Sequence, residues 1–142
     1  MVNYYLEKVL SNIEKLIELT TQDIEDIKNA KNEEIYKRTK IKDEVIALFE
    51  SEKALLDNEL VKLVKSNEGV ELSELLDESA KNNLDNLKMK LQELKDVNKK
   101  YAKLVVAVNE FYTKLFDQIF PTEMENYKKI NPKSFSLLKV SA

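Results

Sequence analysis

Apolar residues recur every seven positions through the last third of the folded part of this chain. Leu84, Leu91, Asn98, Val105, Tyr112 and Ile119 form one series, and Leu87, Leu94, Tyr101, Val108 and Leu115 form the other. Spacing that alternates between three and four residues places both series on one side of an α-helix, and only another helix can cover such a seam. A repeat kept strictly at seven also predicts left-handed supercoiling. Little interrupts the pattern, because the 142 residues hold one glycine, Gly69, and two prolines. Sandwiches, barrels and alternating α/β folds need far more turn chemistry than that. The chain is therefore read as all-α, an antiparallel bundle of three long helices.

The other two helices follow from the same spacing. Leu6, Ile13, Thr20 and Ile27 lie seven apart, with Leu10, Ile17 and Ile24 between them, which predicts a helix over about 3–29. Val9 and Leu16 widen this stripe beyond a two-stranded seam and favour a bundle. A second helix is predicted over about 33–66, with Ile35, Phe49, Leu56 and Leu63 in one series and Ile46 and Leu60 in the other. Lys42 and Lys53 interrupt it. The step from Ile27 to Ile35 is eight, so the register slips by one between Asn29 and Glu34. A tight turn there, with Asn32 as N-cap and Glu33 and Glu34 at the positive end of the helix dipole, is the main reading. One continuous helix with a skip residue is the alternative.

Gly69 ends the second helix, since it tolerates the left-handed backbone of a C-terminal cap. A short helical turn is expected near 72–77, and the last helix over about 79–119. Pro121 stops it. Residues 1–120 are read as the bundle domain and 121–142 as a loosely structured tail. At about 1.5 Å per residue the three helices differ in length, roughly 40, 50 and 60 Å. An up, down, up arrangement leaves the end of the last helix overhanging the first turn, with Phe111, Phe116, Ile119 and Phe120 poorly covered. Ile41, Val45, Leu48 and Leu55 form a second apolar ridge on the second helix, either core or a groove for a partner's helix. Asn98, inside a seam, is read as a register-fixing residue.

Composition removes most chemistry. With no His and no Cys there is no Ser/His or Cys/His nucleophile pair, no thiol redox centre and no ordinary zinc site. A ferritin-like di-iron centre needs Glu-x-x-His pairs, and a phosphate loop needs more than one glycine. The chain is read as a non-enzyme with no cofactor, no metal and no small-molecule substrate. Its net charge is −3 and Arg38 is the only arginine among 23 basic residues, so nucleic acid is not an expected partner. The longest aliphatic run, Leu104 to Val108, is too short to cross a bilayer, and residues 1–10 lack a basic segment followed by an apolar core. Neither membrane insertion nor a signal peptide is expected, and the expected location is the cytoplasm.

Two stretches resemble the FlgN family of flagellar export chaperones. Lys42-Asp43-Glu44-Val45-Ile46-Ala47-Leu48-Phe49 is similar to the family's Lys-Glu-Glu-Leu-Leu-type segment on its second helix. Residues 91–105 resemble its Leu-x-x-Leu-x-x-x-Asn-x-x-Asn-Gly-x-Leu-Leu segment. Asn98 matches the first Asn, while Tyr101 and Ala102 stand in place of the second Asn and the Gly. The resemblance implies a cytoplasmic chaperone that binds the hook-associated proteins FlgK and FlgL, keeps them unassembled and delivers them to the export gate protein FlhA. It also implies a gate-contacting tyrosine near the start of the tail, for which Tyr127 is the nearest match, followed by Lys128 in place of Gly. On this reading Val97, Leu104, Phe111, Phe116 and Phe120, with Phe135, Leu137 and Leu138 of the tail, form the client surface. A self-associating coiled-coil scaffold with no export client is the alternative.

Overall fold

A computed structural model describes residues 1–119, and these form four helices: α1 (Val2–Lys28), α2 (Asn32–Ser66), α3 (Leu72–Leu75) and α4 (Glu78–Ile119). The three long helices fall within one residue of the boundaries expected from apolar spacing. Among the described residues there is no strand, and no helix is long and apolar enough to cross a membrane. The tail reading, and with it Phe120, Tyr127, Phe135, Leu137 and Leu138, lies outside the described residues.

Helix α1 forms the spine. It packs against both α2 and α4, whose backbones stay apart from one another. Its early residues Leu6 and Val9 meet Leu56 of α2 and Ala80 of α4, and its late residues Ile24 and Ile27 meet Ile35, Tyr101 and Val105. Ile13, Leu16 and Ile17 join Val45 between them. These pairings set α2 antiparallel to α1 and α4 parallel to it. A helix with neighbours on two sides must bury a wide face, which explains why Val9 and Leu16 beside the main stripe are both buried. Lying on the flank of α1, α2 and α4 each bury far less.

The first turn is a break and not a continuous helix. Ala30 takes φ of 57°, the Lys31 N–H donates to the Asp26 carbonyl at 2.8 Å, and the Ala30 N–H donates to the Ile27 carbonyl at 3.3 Å. This pair of bonds is a Schellman cap, built on alanine where glycine is usual. Asn32 is the first residue of α2 rather than its N-cap; Lys31 takes the cap position and makes no side-chain cap bond. Glu33 and Glu34 do occupy the first turn. Gly69 has φ of +83° but is not the cap of α2: the helix ends at Ser66 with Asn67 as its cap residue, and Gly69 lies in the next turn, closed by the Val70 N–H donating to the Asn67 carbonyl at 3.2 Å. Helix α4 is capped by Asp77, whose Oδ1 accepts the Ala80 N–H at 2.7 Å, and Asn3 of α1 donates to both carboxylate oxygens.

A candidate partner-binding surface

Unequal helix lengths create the surface. Val105 is the last buried residue of α4, at the level where α1 ends, and the helix runs on to Ile119. Those fourteen residues span about 21 Å. The face of α4 that packs inward as Val97, Tyr101, Leu104 and Val108 continues along the same side as Phe111, Leu115 and Ile119. With α1 no longer beside them, Phe111, Leu115 and Ile119 are 62%, 40% and 57% exposed. The Phe111 ring lies 5.9 Å from that of Tyr112, which still packs against the Ile24–Tyr101 cluster. An exposed apolar ridge whose base ring packs against the core cluster is the kind of surface that marks interaction sites.

The residues singled out from sequence divide along this line. Phe111 is exposed, and Phe116 is half-buried. Val97 and Leu104 are half-buried and pack against Ile24, Ile27, Ile35, Tyr101 and Val105, so they form the edge of the core as well as the root of the ridge. Asn98 is half-buried beside them. Leu91, expected in the seam, is 42% exposed, although Leu84 before it and Val105 after it in the same series pack on the core. On α2, Val45 joins the core while Ile41, Leu48 and Leu55 stay outside.

Sequence reasoning missed the buried charges. Asp23 and Asp26 of α1 meet Arg38 and Lys42 of α2 inside the bundle. The Arg38 guanidinium forks, one nitrogen donating to Asp23 at 2.6 Å and the other to Asp26 at 2.7 Å. Lys42 Nζ lies 2.6 Å from the other Asp23 oxygen, in a close ion pair rather than a directed hydrogen bond. Gln22 donates to the remaining oxygen of Asp26 at 3.1 Å. Burial pushes the Asp26 carboxyl up, but bonding to Arg38 and Gln22 outweighs it and leaves the group below its ordinary range. Burial likewise opposes the Arg38 charge, and bonding to Asp23 and Asp26 raises it overall. Further along the same interface Asn12 donates to Glu52, both buried.

These groups bind one another across the α1–α2 interface. Their effect is to lock the α1–α2 hairpin in one register. Among the described residues no group of three His, Cys, Asp or Glu is placed to hold a metal ion. The signal was present in the sequence: Lys42 breaks an apolar stripe, the single arginine stands four residues before it, and Asp23 and Asp26 lie three apart beside Ile24 and Ile27.

The arrangement defines a class, an all-α bundle whose last helix, among the described residues, ends in an exposed apolar ridge. No protein-family model, curated protein or solved structure matches this chain.

Proposed function

We propose that this chain is a cytoplasmic polypeptide-binding chaperone of the FlgN type, which shields the hook-associated proteins FlgK and FlgL and hands them to FlhA. The observation that supports it is the Phe111–Leu115–Ile119 ridge, apolar, exposed and anchored in the core. The resemblance of residues 42–49 and 91–105 to that family supplies the identity of the client. Filament-forming subunits associate through amphipathic helices that are sticky before assembly, and a complementary edge covers them without catalysis. Burying one helix of about 20 residues removes several hundred Å² of apolar surface, on the order of 10 kcal/mol before ordering costs. After those costs the binding is reversible, as delivery requires.

Co-expression with FlgK, FlgL and unrelated flagellar subunits, followed by size exclusion, tests the reading. FlgK and FlgL co-elute with the chain and the unrelated subunits do not. Phe111→Glu with Ile119→Glu abolishes co-elution while circular dichroism stays helical. Both positions are more than half exposed, so they report binding more cleanly than the core-edge Leu104. Co-elution that survives both changes refutes the surface, and no co-elution by the unaltered chain refutes the client. The scaffold alternative draws on the exposed Ile41, Leu48 and Leu55 of α2.

A further inference from the structure

Ile41, Leu48 and Leu55 lie seven residues apart on α2 and are 47%, 51% and 43% exposed. They line an exposed flank of α2 next to its α1-facing side, since Val45 and Glu52, three and four residues from Leu48, are both buried against α1. Continuing the column by seven in each direction adds Glu34 before Ile41 and Lys62 after Leu55, both exposed. The column therefore reads acid, three aliphatics, base, and its centre is Leu48.

That order is self-complementary. If a second α2 lies antiparallel with Leu48 on Leu48, Ile41 faces Leu55 and Glu34 faces Lys62, twice over by symmetry. The next charged residues agree. Lys37 and Glu59 are placed eleven residues either side of Leu48, so they also face one another. Within each helix Glu34 already pairs with Lys37 at 3.9 Å and Glu59 with Lys62 at 3.6 Å, so each end becomes a four-charge cluster of alternating sign. Of the like-charge pairings, Glu44 against Glu52 does not arise, because Glu52 is buried and bonded to Asn12, and Lys31 against Lys65 falls beyond the Glu34–Lys62 ends of the column. The parallel arrangement stacks Glu34 on Glu34 and Lys62 on Lys62.

We propose that two copies of this chain pair through α2, antiparallel about a twofold axis at Leu48, with Glu34 of each facing Lys62 of the other. The contact runs about 42 Å along the helices. It buries on the order of 1,000 Å² in total, at the lower end of specific interfaces. With three aliphatics a side it is a weak pairing. A seven-residue column drifts about 20° per heptad on a straight helix, and a left-handed wrap of one α2 around the other absorbs that drift. The pairing leaves the Phe111–Ile119 ridge free, so it stands or falls separately from client binding.

Sedimentation velocity of the full chain, from micromolar to millimolar, tests it. A concentration-dependent dimer is the expected result, and Leu48→Glu abolishes it with the helical circular dichroism unchanged. Lys62→Glu weakens the dimer about tenfold, since two exposed attractions become repulsions. Glu34→Lys combined with Lys62→Glu restores the dimer to within about twofold. Glu34 and Lys62 are too far apart in one molecule to compensate each other, so recovery arises only between copies. A chain that stays monomeric throughout overturns the proposal. So does a dimer indifferent to Leu48→Glu but broken by Phe111→Glu, or a double variant that fails to recover.

Discussion

Lys42 Nζ sits 5.2 Å from the centre of the Tyr101 ring, so a lysine of α2 meets a tyrosine of α4 across the flank of α1. The two helices have little backbone contact, and this cation–ring approach bridges them at the buried charge cluster. The cluster therefore touches all three long helices, with Asp23 and Asp26 from α1, Arg38 and Lys42 from α2, and Tyr101 from α4. The ring shields the ion pairs from water, which strengthens them and raises the cost of breaking them.

Tyr101 is 2% exposed and its hydroxyl has no hydrogen-bond partner. Burial, reinforced by the Asp23 charge, pushes its ionisation well above the ordinary value. A buried hydroxyl without a partner costs about 1–3 kcal/mol, whereas the ring supplies packing and the face toward Lys42. Tyr101→Phe keeps the ring and removes the liability. It is expected to raise stability by about 1 kcal/mol in urea unfolding, whereas Tyr101→Leu lowers it. A loss on Tyr101→Phe contradicts this account of the hydroxyl.

Arg38 holds two carboxylates one turn apart, a task that a lysine ammonium does not match. Arg38→Lys is expected to cost about 2 kcal/mol by losing one charged bond, and Arg38→Met about 3–4 kcal/mol by leaving Asp23 to Lys42 alone and Asp26 to the neutral Gln22. Equal effects of the two substitutions in urea unfolding show that the fork is not what matters.

Acid should open the same cluster. Asp26 has a depressed folded-state ionisation, so its stabilising contribution is complete above the unfolded carboxylate value of about 3.9 and is lost as pH falls through the lower folded value. Asp77, held down by the Ala80 N–H and Asn3, acts in the same direction. The urea midpoint is expected to be flat from neutral pH to about 5 and to fall below about 4. Asp26→Asn starts from a lower midpoint and shows a shallower fall. An unchanged slope removes Asp26 from the acid response.

The helices and their ends were legible because apolar spacing reports directly which side of a helix is covered. The overhang of α4 was legible too, since it follows from lengths alone. The charged core was hidden by a type of signal that has two outcomes. Lys42 and Lys53 both interrupt the α2 stripe, yet Lys42 is buried on Asp23 while Lys53 is exposed and pairs with Asp57 along its own helix. Only the position of α1 distinguishes them: Asp23 sits opposite Lys42, and nothing in the α2 sequence records that. The α4 seam misled at Leu91, a local departure between the packed Leu84 and Val105 that apolar spacing does not record.

The two turns make opposite residue choices for a left-handed backbone, alanine at Ala30 and glycine at Gly69, and swapping the residues should move stability in opposite directions. Ala30 holds a left-handed backbone, φ 57°, that costs a residue with a Cβ about 1–2 kcal/mol. Glycine removes that strain but gives back about 0.4–1 kcal/mol through its freer unfolded chain. Ala30→Gly is therefore expected to stabilise by about 0.5–1 kcal/mol and leave the α1–α2 register intact. At Gly69, φ +83°, an added Cβ would meet nothing within 4 Å, so Gly69→Ala is charged only for the backbone and loses about 1 kcal/mol. Thermal unfolding of the two variants reads both signs. If Ala30→Gly destabilises, the cap between α1 and α2 is not the left-handed turn described, and the hairpin register built on it fails with it.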